Sequence, residues 1–287
     1  MSVSYTVTEL ITAVKRRAIV PSNQGLFTEL DLAEFLNDEI QQTIVPLIMS
    51  VREDYFVKGI DVVVENYEFQ IPRDAIGMKV RNIGKVVTER NFYDLPRLSY
   101  SDSFTRKNGF LVEGNTIKIL GQVTGPFKVY YFKRPLQLTN VSETTKQITA
   151  VDIATNTITV GGADPSWTTS TELNIVQSFQ PFDSIENIFP VTATFPDYVL
   201  PSVEKVSVGD WITRQGFSPI AQLPVEAQKT LVQATVVKVL ESMGDREGMA
   251  AAEKKLEDNI ASMFNVLTPR VDGSPKKIVN SGISEWI

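Results

Sequence analysis

The chain of 287 residues contains no cysteine and no histidine. Without cysteine there can be no disulfide, no thiolate metal site and no Cys nucleophile. Without histidine the commonest general base, the Ser-His-Asp triad and the commonest transition-metal ligand are gone. Few enzymes of this size do without both, so the sequence points away from catalysis and implies no cofactor and no metal. Neither GxxxxGK[ST] nor GxGxxG occurs, and Gly161–Gly162 is a turn signal only. No apolar run approaches the length of a membrane span. The opening MSVSYTVTEL lacks a charged stretch followed by an apolar core, so no secretory signal is expected. The product is expected to be soluble and intracellular when made, and the Asn140-Val141-Ser142 sequon is discounted accordingly. A surplus of basic charge is lacking too. Lys and Arg number 28 against 34 Asp and Glu, for a net charge of -6 and a pI near 5.0. That balance argues against wrapping nucleic acid, which needs a basic footprint.

The sequence is 43% hydrophobic, enough for one large domain or two smaller ones. Helical periodicity is concentrated at the two ends. Thr6 and Glu9 form a capping box, with Tyr5 and Leu10 as its staple. Val7, Leu10, Ile11, Val14 and Ala18 make the buried stripe of a first helix. Lys15, Arg16 and Arg17 then sit in its last turn, where they read as a solvated helix end. Thr28, with Asp31 three residues on, caps a second helix whose stripe includes Leu32, Phe35, Leu36, Ile40, Ile44, Leu47, Ile48 and Val51. Pro46 should kink or split it near Val45. Glu53–Asp54 reads as solvated charge.

Near the other end, residues 224–267 read as two helices around one corner. Pro224 suits a first helical position. Val232, Val236, Val239, Leu240 and Met243 recur at helical spacing. Gly244 suits a left-handed helix end, and Asp245 caps the next helix. Met249, Ala252, Leu256, Ile260, Met263, Phe264 and Leu267 form one face of that last helix. Such a stripe needs a partner, and the N-terminal helices are the natural mates. The expected bundle core includes Leu10, Val14, Phe35, Leu36, Ile40, Leu256, Ile260 and Phe264.

Between these ends the texture is that of strands. Residues 60–71, 78–90 (with Gly84 a possible bulge), 110–113, 116–120 and 127–132 read as strands, with Gly114–Asn115 a hairpin signal. Residues 91–108 are polar, aromatic and irregular, and read as a projecting loop. Their aromatics and basic residues can stack on single strands, but packing on a neighbouring surface is the commoner use. A second series of strands lies at 147–151, 157–160, 172–178, 185–188, 203–208 and 211–214, which suggests a small barrel or sandwich. Past Pro269 the pattern ends. The segment RVDGSPKKIVNSGISEWI has no helical stripe, yet it carries Val271, Ile278, Val279, Ile283, Trp286 and Ile287. Alone it would expose apolar groups, so an arm docked on another chain is the favoured reading over a tail packed on its own domain.

The fold expected is therefore α+β: a discontinuous helical bundle of N- and C-terminal helices, a large inserted all-β region and an extended C-terminal tail. Its parts are residues 1–57 (N-terminal bundle), 58–135 (β domain), 136–215 (second β unit), 216–268 (C-terminal helix pair) and 269–287 (docking tail).

Four stretches carry a likeness to a known family. They are TELDLAEFLNDEIQQTIVPLIMSVREDYF, ENYEFQIPRDAIG, VGDWITRQGFSPIAQLP and LTPRVDGSPKKIV. Together they resemble the head-to-tail adaptor, or connector, proteins of short-tailed bacterial viruses. The resemblance implies a structural virion protein, made in the host cytoplasm, that forms a ring under the portal at the head–tail junction. The ring is a cyclic homo-oligomer, typically of about twelve copies, with head-to-tail interfaces. Its partners are the portal protein and a tail or second ring protein, and DNA passes through its channel during ejection without specific binding. The docking tail would use Arg270, Val271, Pro275, Ile278, Val279, Ile283, Trp286 and Ile287. Two other readings compete: a tail-side tube or receptor-binding component, and a peptidoglycan hydrolase working through carboxylates alone.

Overall fold

The computed structural model describes residues 5–19, 26–63, 67–88, 91–99, 108–121, 125–141, 143–179 and 181–268. The chain begins with helix α1 (Val7–Arg17), whose first turn is closed by both halves of the Thr6/Glu9 capping box. Helix α2 (Glu29–Glu39) starts with the same device built from Thr28 and Asp31. It runs into a π-helical turn at Ile40–Ile44 and resumes as α3 (Val45–Arg52). Pro46 explains the switch. It cannot donate to the carbonyl four residues back, and the wider π turn absorbs the mismatch instead of a break. A 3-10 turn, Glu53–Phe56, leads into the strands.

A four-stranded antiparallel sheet comes first, in the order β1 (Val57–Val63), β7 (Pro126–Lys133), β3 (Ala75–Thr88), β4 (Asn91–Leu95). A three-stranded sheet of β2 (Glu68–Gln70), β6 (Thr116–Leu120) and β5 (Gly109–Glu113) shares its core. Ile83, Phe110, Ile117, Phe127 and Val129 are buried in that core. Strands β8 (Gln137–Leu138) and β16 (Phe217–Ser218) form a short parallel pair.

The largest sheet has seven strands and curves into a half-barrel. Its order is β12 (Ile185–Ile188), β11 (Leu173–Val176), β15 (Trp211–Arg214), β9 (Thr145–Asp152), β10 (Thr157–Val160), β14 (Asp197–Val199), β13 (Thr192–Thr194). It has its own core, in which the Trp167 and Tyr198 rings lie 5.7 Å apart among buried aliphatic residues. The chain then returns to helix with α4 (Val225–Met243) and α5 (Arg246–Leu267). Gly244 ends α4 at φ +74°, a conformation that costs glycine little and other residues much. Asp245 caps α5 by accepting from the Gly248 N–H.

The architecture corrects the expected one. Among the described residues it is mixed, with four helices (α2 and α3 counted as one run) and many antiparallel strands, including the half-barrel. It is not a discontinuous bundle of N- and C-terminal helices around an inserted all-β region. The physical reason is that the helices do not complete a core among themselves. Leu138 of β8, together with Ala221 and Leu223, is buried in the same cluster as the helical stripes, and Ile76 and Phe182 pack against it. Strand-type pairing also reaches the helices: Thr6 bridges Ile220, and the Val7 N–H donates to the Pro219 carbonyl at 2.8 Å.

Local expectations differ as well. No strand forms at residues 203–208. Val203 and Val206 are buried, but they belong to a turn closed by the Val206 N–H on the Val203 carbonyl. Gly84 pairs regularly with Lys128 and Asp94, and the irregularities of β3 lie elsewhere. Residues 91–95, read as loop, form β4 on the edge of the sheet. The expected docking tail lies outside the described residues.

Candidate functional site

Helix α4 is the member around which the rest is fastened. Its residues are buried on nearly every face from Ala227 to Val236. Burial of that extent leaves side-chain amides that must find partners, and each partner is a different element. Gln228 accepts from the Tyr5 N–H at 2.9 Å and donates to the Leu223 carbonyl. Gln233 accepts from Arg17 at 3.4 Å and donates to the Ala252 carbonyl at 3.2 Å, so one side chain links α1, α4 and α5. Just before the helix, Gln222 accepts from the Leu136 N–H and donates to the Pro181 carbonyl. On α2, Asn37 exchanges two hydrogen bonds with the backbone of Leu138, at 2.7 and 3.0 Å, and so acts as one more strand residue for β8.

Alongside this frame α1 and the first turns of α4 leave an open groove of about 600 Å³. Tyr5, Leu10, Ala13, Val225 and Val232 supply its apolar surface, and Tyr5 is half exposed. Its charges are mixed: Glu9 and Glu226 lie toward the end marked by the Tyr5–Gln228 bond, with Lys229 one turn on from Glu226, and Arg16 and Arg17 lie toward the Gln233 end. Tyr55, in the 3-10 turn, has its phenol pushed up to about 12 by burial and by the Glu226 carboxylate.

A second polar feature joins the half-barrel to the four-stranded sheet. Lys133, at the end of β7, has no exposed surface. Its ammonium pairs with Glu186 of β12 and donates to Ser184 Oγ at 2.8 Å, and the Phe182 ring lies 5.7 Å away. Ser184 in turn donates to Glu186 at 2.8 Å, and Lys58 of β1 approaches Glu186 to 3.1 Å. Beside them the Tyr131 hydroxyl donates to Asp74 at 3.0 Å. Burial pulls Lys133 below the usual lysine range, against the opposing pull of Glu186. Burial alone would raise the Glu186 carboxyl, but Lys133, Lys58 and the Ser184 hydroxyl outweigh it and hold it below its ordinary value. Burial and Asp74 push the Tyr131 phenol far up. A cleft of about 630 Å³ opens past Lys58, Asp74, Asn174, Glu186 and Gln215. With Lys133 fully enclosed and Glu186 set between it and Lys58, the cluster ties the half-barrel to the four-stranded sheet.

The residues expected at the helical core are distributed unevenly. Leu10, Val14, Leu36 and Ile40 are fully buried in the cluster that α4 centres. Phe35 and Phe264 are partly buried against it, Phe35 in edge contact with Phe27 at 5.8 Å. Leu256 and Ile260 are half-buried on α5. Arg270, Val271, Pro275, Ile278, Val279, Ile283, Trp286 and Ile287 lie outside the described residues. Sequence reasoning missed Lys133, though strict alternation carried the signal. Phe127, Val129 and Tyr131 face inward on β7, and the next position in that register is Lys133. It also missed Gln222, Gln228 and Gln233, for which periodicity gives no cue. Among the described residues no group of three or more acidic side chains is placed to hold a metal ion, and no helix is long and apolar enough to cross a membrane. A scan against protein-family models finds no match, and a search of curated proteins finds no similar sequence.

Proposed function

We propose that this chain is a structural virion protein, a head-to-tail adaptor that forms a ring under the portal, links the capsid vertex to the tail and extends the DNA channel. The observation that supports it is where the stretches carrying the resemblance meet. Residues 28–56 form α2, the π turn, α3 and the 3-10 turn. Residues 67–77 supply β2, the start of β3 and Asp74. Residues 208–224 supply β15, β16 and Gln222, and lead into α4. These segments are far apart in sequence, yet they converge on one junction through Asn37–Leu138, Asp74–Tyr131 and Gln222–Leu136. The chain leaves the described residues after α5, which packs beside the same helix. The net charge of -6 suits a conduit that DNA crosses without sticking.

In this reading residues 270–287 dock on the portal or on a neighbouring copy, and ordering of the arm accompanies assembly. Deleting them should leave a folded protein that no longer joins the portal protein of the same genome, measured by co-sedimentation. A truncated chain that still assembles normally would overturn the mechanism. A hydrolase working through carboxylates is the weaker reading, because its general acid must hold a proton near neutrality. Glu186, a carboxyl of the polar cleft, is pulled the other way, below its ordinary value, by two lysines.

A further inference from the structure

We propose that helix α5 of one copy docks into the groove between α1 and α4 of the next, and that this contact joins the subunits of the ring. The proposal deepens the adaptor reading and rests on it, since it names the surfaces by which neighbouring copies meet.

One surface is a face of α5. Leu256 and Ile260 lie one turn apart on it, and Glu253 and Glu257 lie beside them at the same spacing. Each is three or four residues from its neighbours in this set, so the four form one compact patch. Leu256 and Ile260 are half-buried, yet neither packs into a hydrophobic core of its own copy. Glu253 and Glu257 are exposed and make no ion pair among the described residues. Two carboxylates one turn apart repel each other on an isolated helix, and a cation from outside offsets that. Lys254, three residues before Glu257, does not pair with it, and Lys255 lies on another side of the helix.

The other surface is the groove. Its floor is apolar, from Leu10, Ala13, Val225 and Val232. Of its charged residues, Glu9 is engaged by the Thr6 cap and Arg17 by Gln233. Arg16 on α1 and Lys229 on α4 are exposed and make no ion pair among the described residues. Glu226 is the remaining carboxylate, and burial together with its charge pushes the Tyr55 phenol up to about 12. Two free cations against one carboxylate leave the groove positive, whereas the α5 patch is doubly negative. The match is apolar floor to Leu256 and Ile260, and Arg16 and Lys229 to Glu253 and Glu257, a helix-in-groove contact.

The occupant is a second copy. Within one copy, α5 is held along α4 by Gln233 on the Ala252 carbonyl, so its patch cannot turn into the groove of the same chain. A patch on one copy meeting a different surface on the next is a head-to-tail contact, the kind that closes into a ring. Exposed ion pairs contribute little each. The contact is therefore weak between free chains and takes hold where the portal sets copies side by side.

The absence of cysteine makes the test clean. A Thr12→Cys chain and an Ala261→Cys chain are mixed at high concentration and treated with a short bismaleimide. Thr12 is exposed and lines the groove, and Ala261 is exposed one turn on from Glu257. The mixed dimer should form about tenfold faster than either chain links to itself, because docking tethers the two thiols. Adding Glu253→Lys/Glu257→Lys to the Ala261→Cys chain should slow it about tenfold, by setting like charges together. Adding Arg16→Glu/Lys229→Glu to the Thr12→Cys chain should then restore most of the rate. All four charged residues are exposed and unpaired, so each variant should fold, which circular dichroism checks. Equal rates for mixed and self-linked dimers would overturn the proposal, and so would reversal without recovery in the doubly swapped pair. The outcome is separable from the adaptor reading. A ring on the portal that gives no Thr12–Ala261 link sinks only this contact, and the link without a ring on the portal sinks only the adaptor function.

Discussion

Replacing Glu186 by Gln keeps the shape of the side chain and removes the charge that Lys133 faces. The ammonium is then left enclosed, with Ser184 Oγ at 2.8 Å and a neutral amide for company. Stripping one partner from a buried ion pair costs roughly 3–5 kcal/mol. The Glu186 side chain retains 19% of its exposure, which lets some water reach the pair. Burial has also already pulled the lysine toward its neutral form. Both facts place the loss at the lower end, about 3 kcal/mol. The reverse change, Lys133→Met, keeps an unbranched apolar stem beside Phe182 and removes the enclosed charge. Glu186 still has Lys58 at 3.1 Å, so the loss should be about 1 kcal/mol or less. The double variant should lose no more than about 1 kcal/mol, a coupling of about 3 kcal/mol. Equilibrium urea unfolding, followed by near- and far-UV circular dichroism, measures all three. If Glu186→Gln costs less than about 1 kcal/mol, or Lys133→Met costs as much as Glu186→Gln, the fastening role assigned to this pair is wrong.

Other consequences arise from the same geometry. The folded Glu186 carboxyl lies below its ordinary 4.5, so its contribution is fully present above that value and is lost as pH falls through the folded one. Urea midpoints should therefore hold near neutrality and drop on the acid side below about pH 4.5 in the wild type, with a shallower drop in Glu186→Gln. Gly244→Ala should cost about 1–2 kcal/mol by forcing a side chain into the left-handed region. At that site a Cβ meets nothing within 4 Å, so a loss near zero would mean that the corner relaxes. Thr6→Ala removes the hydroxyl that caps α1 and should cost about 1 kcal/mol in the same assay. Thermal melts that show no change would place the anchoring of α1 in Tyr5–Gln228 and Val7–Pro219 instead.

What could be read in advance was local. The boxes at Thr6/Glu9 and Thr28/Asp31, and the Gly244–Asp245 corner, depend on residues within one turn of each other. The Gly114–Asn115 hairpin between β5 and β6 is likewise local. Pairing across long stretches left no trace in the pattern. Strand β15 sits between β11 and β9, and β7 between β1 and β3, because of contacts that only the folded sheets create. The stripe read on α4 was too narrow. Met243, counted in it, is exposed, while Gln228, Thr230, Gln233 and Thr235 are buried. Gln228 and Gln233 are held there by partners on other elements and Thr235 by the Leu231 carbonyl of its own helix, and periodicity does not report partners. Val203 and Val206 show the converse error. Their apolar spacing resembled a strand, but a turn anchored by Asp210, which accepts from the Ser178 and Ser207 N–H groups, fixes that segment. The expectation of a closed helical bundle failed for the same reason, since Leu138, Ala221 and Leu223 carry no mark of belonging to a helical core.

The central claim is that this chain is the ring between portal and tail. Native mass spectrometry tests it directly, on the purified chain alone and then mixed with the portal protein encoded beside it. The adaptor reading predicts a monomer alone and, on mixing, a single stoichiometric ring seated on the portal that residues 270–287 are required to form. Failure of the full-length chain to form any complex, across salt and pH, would contradict it.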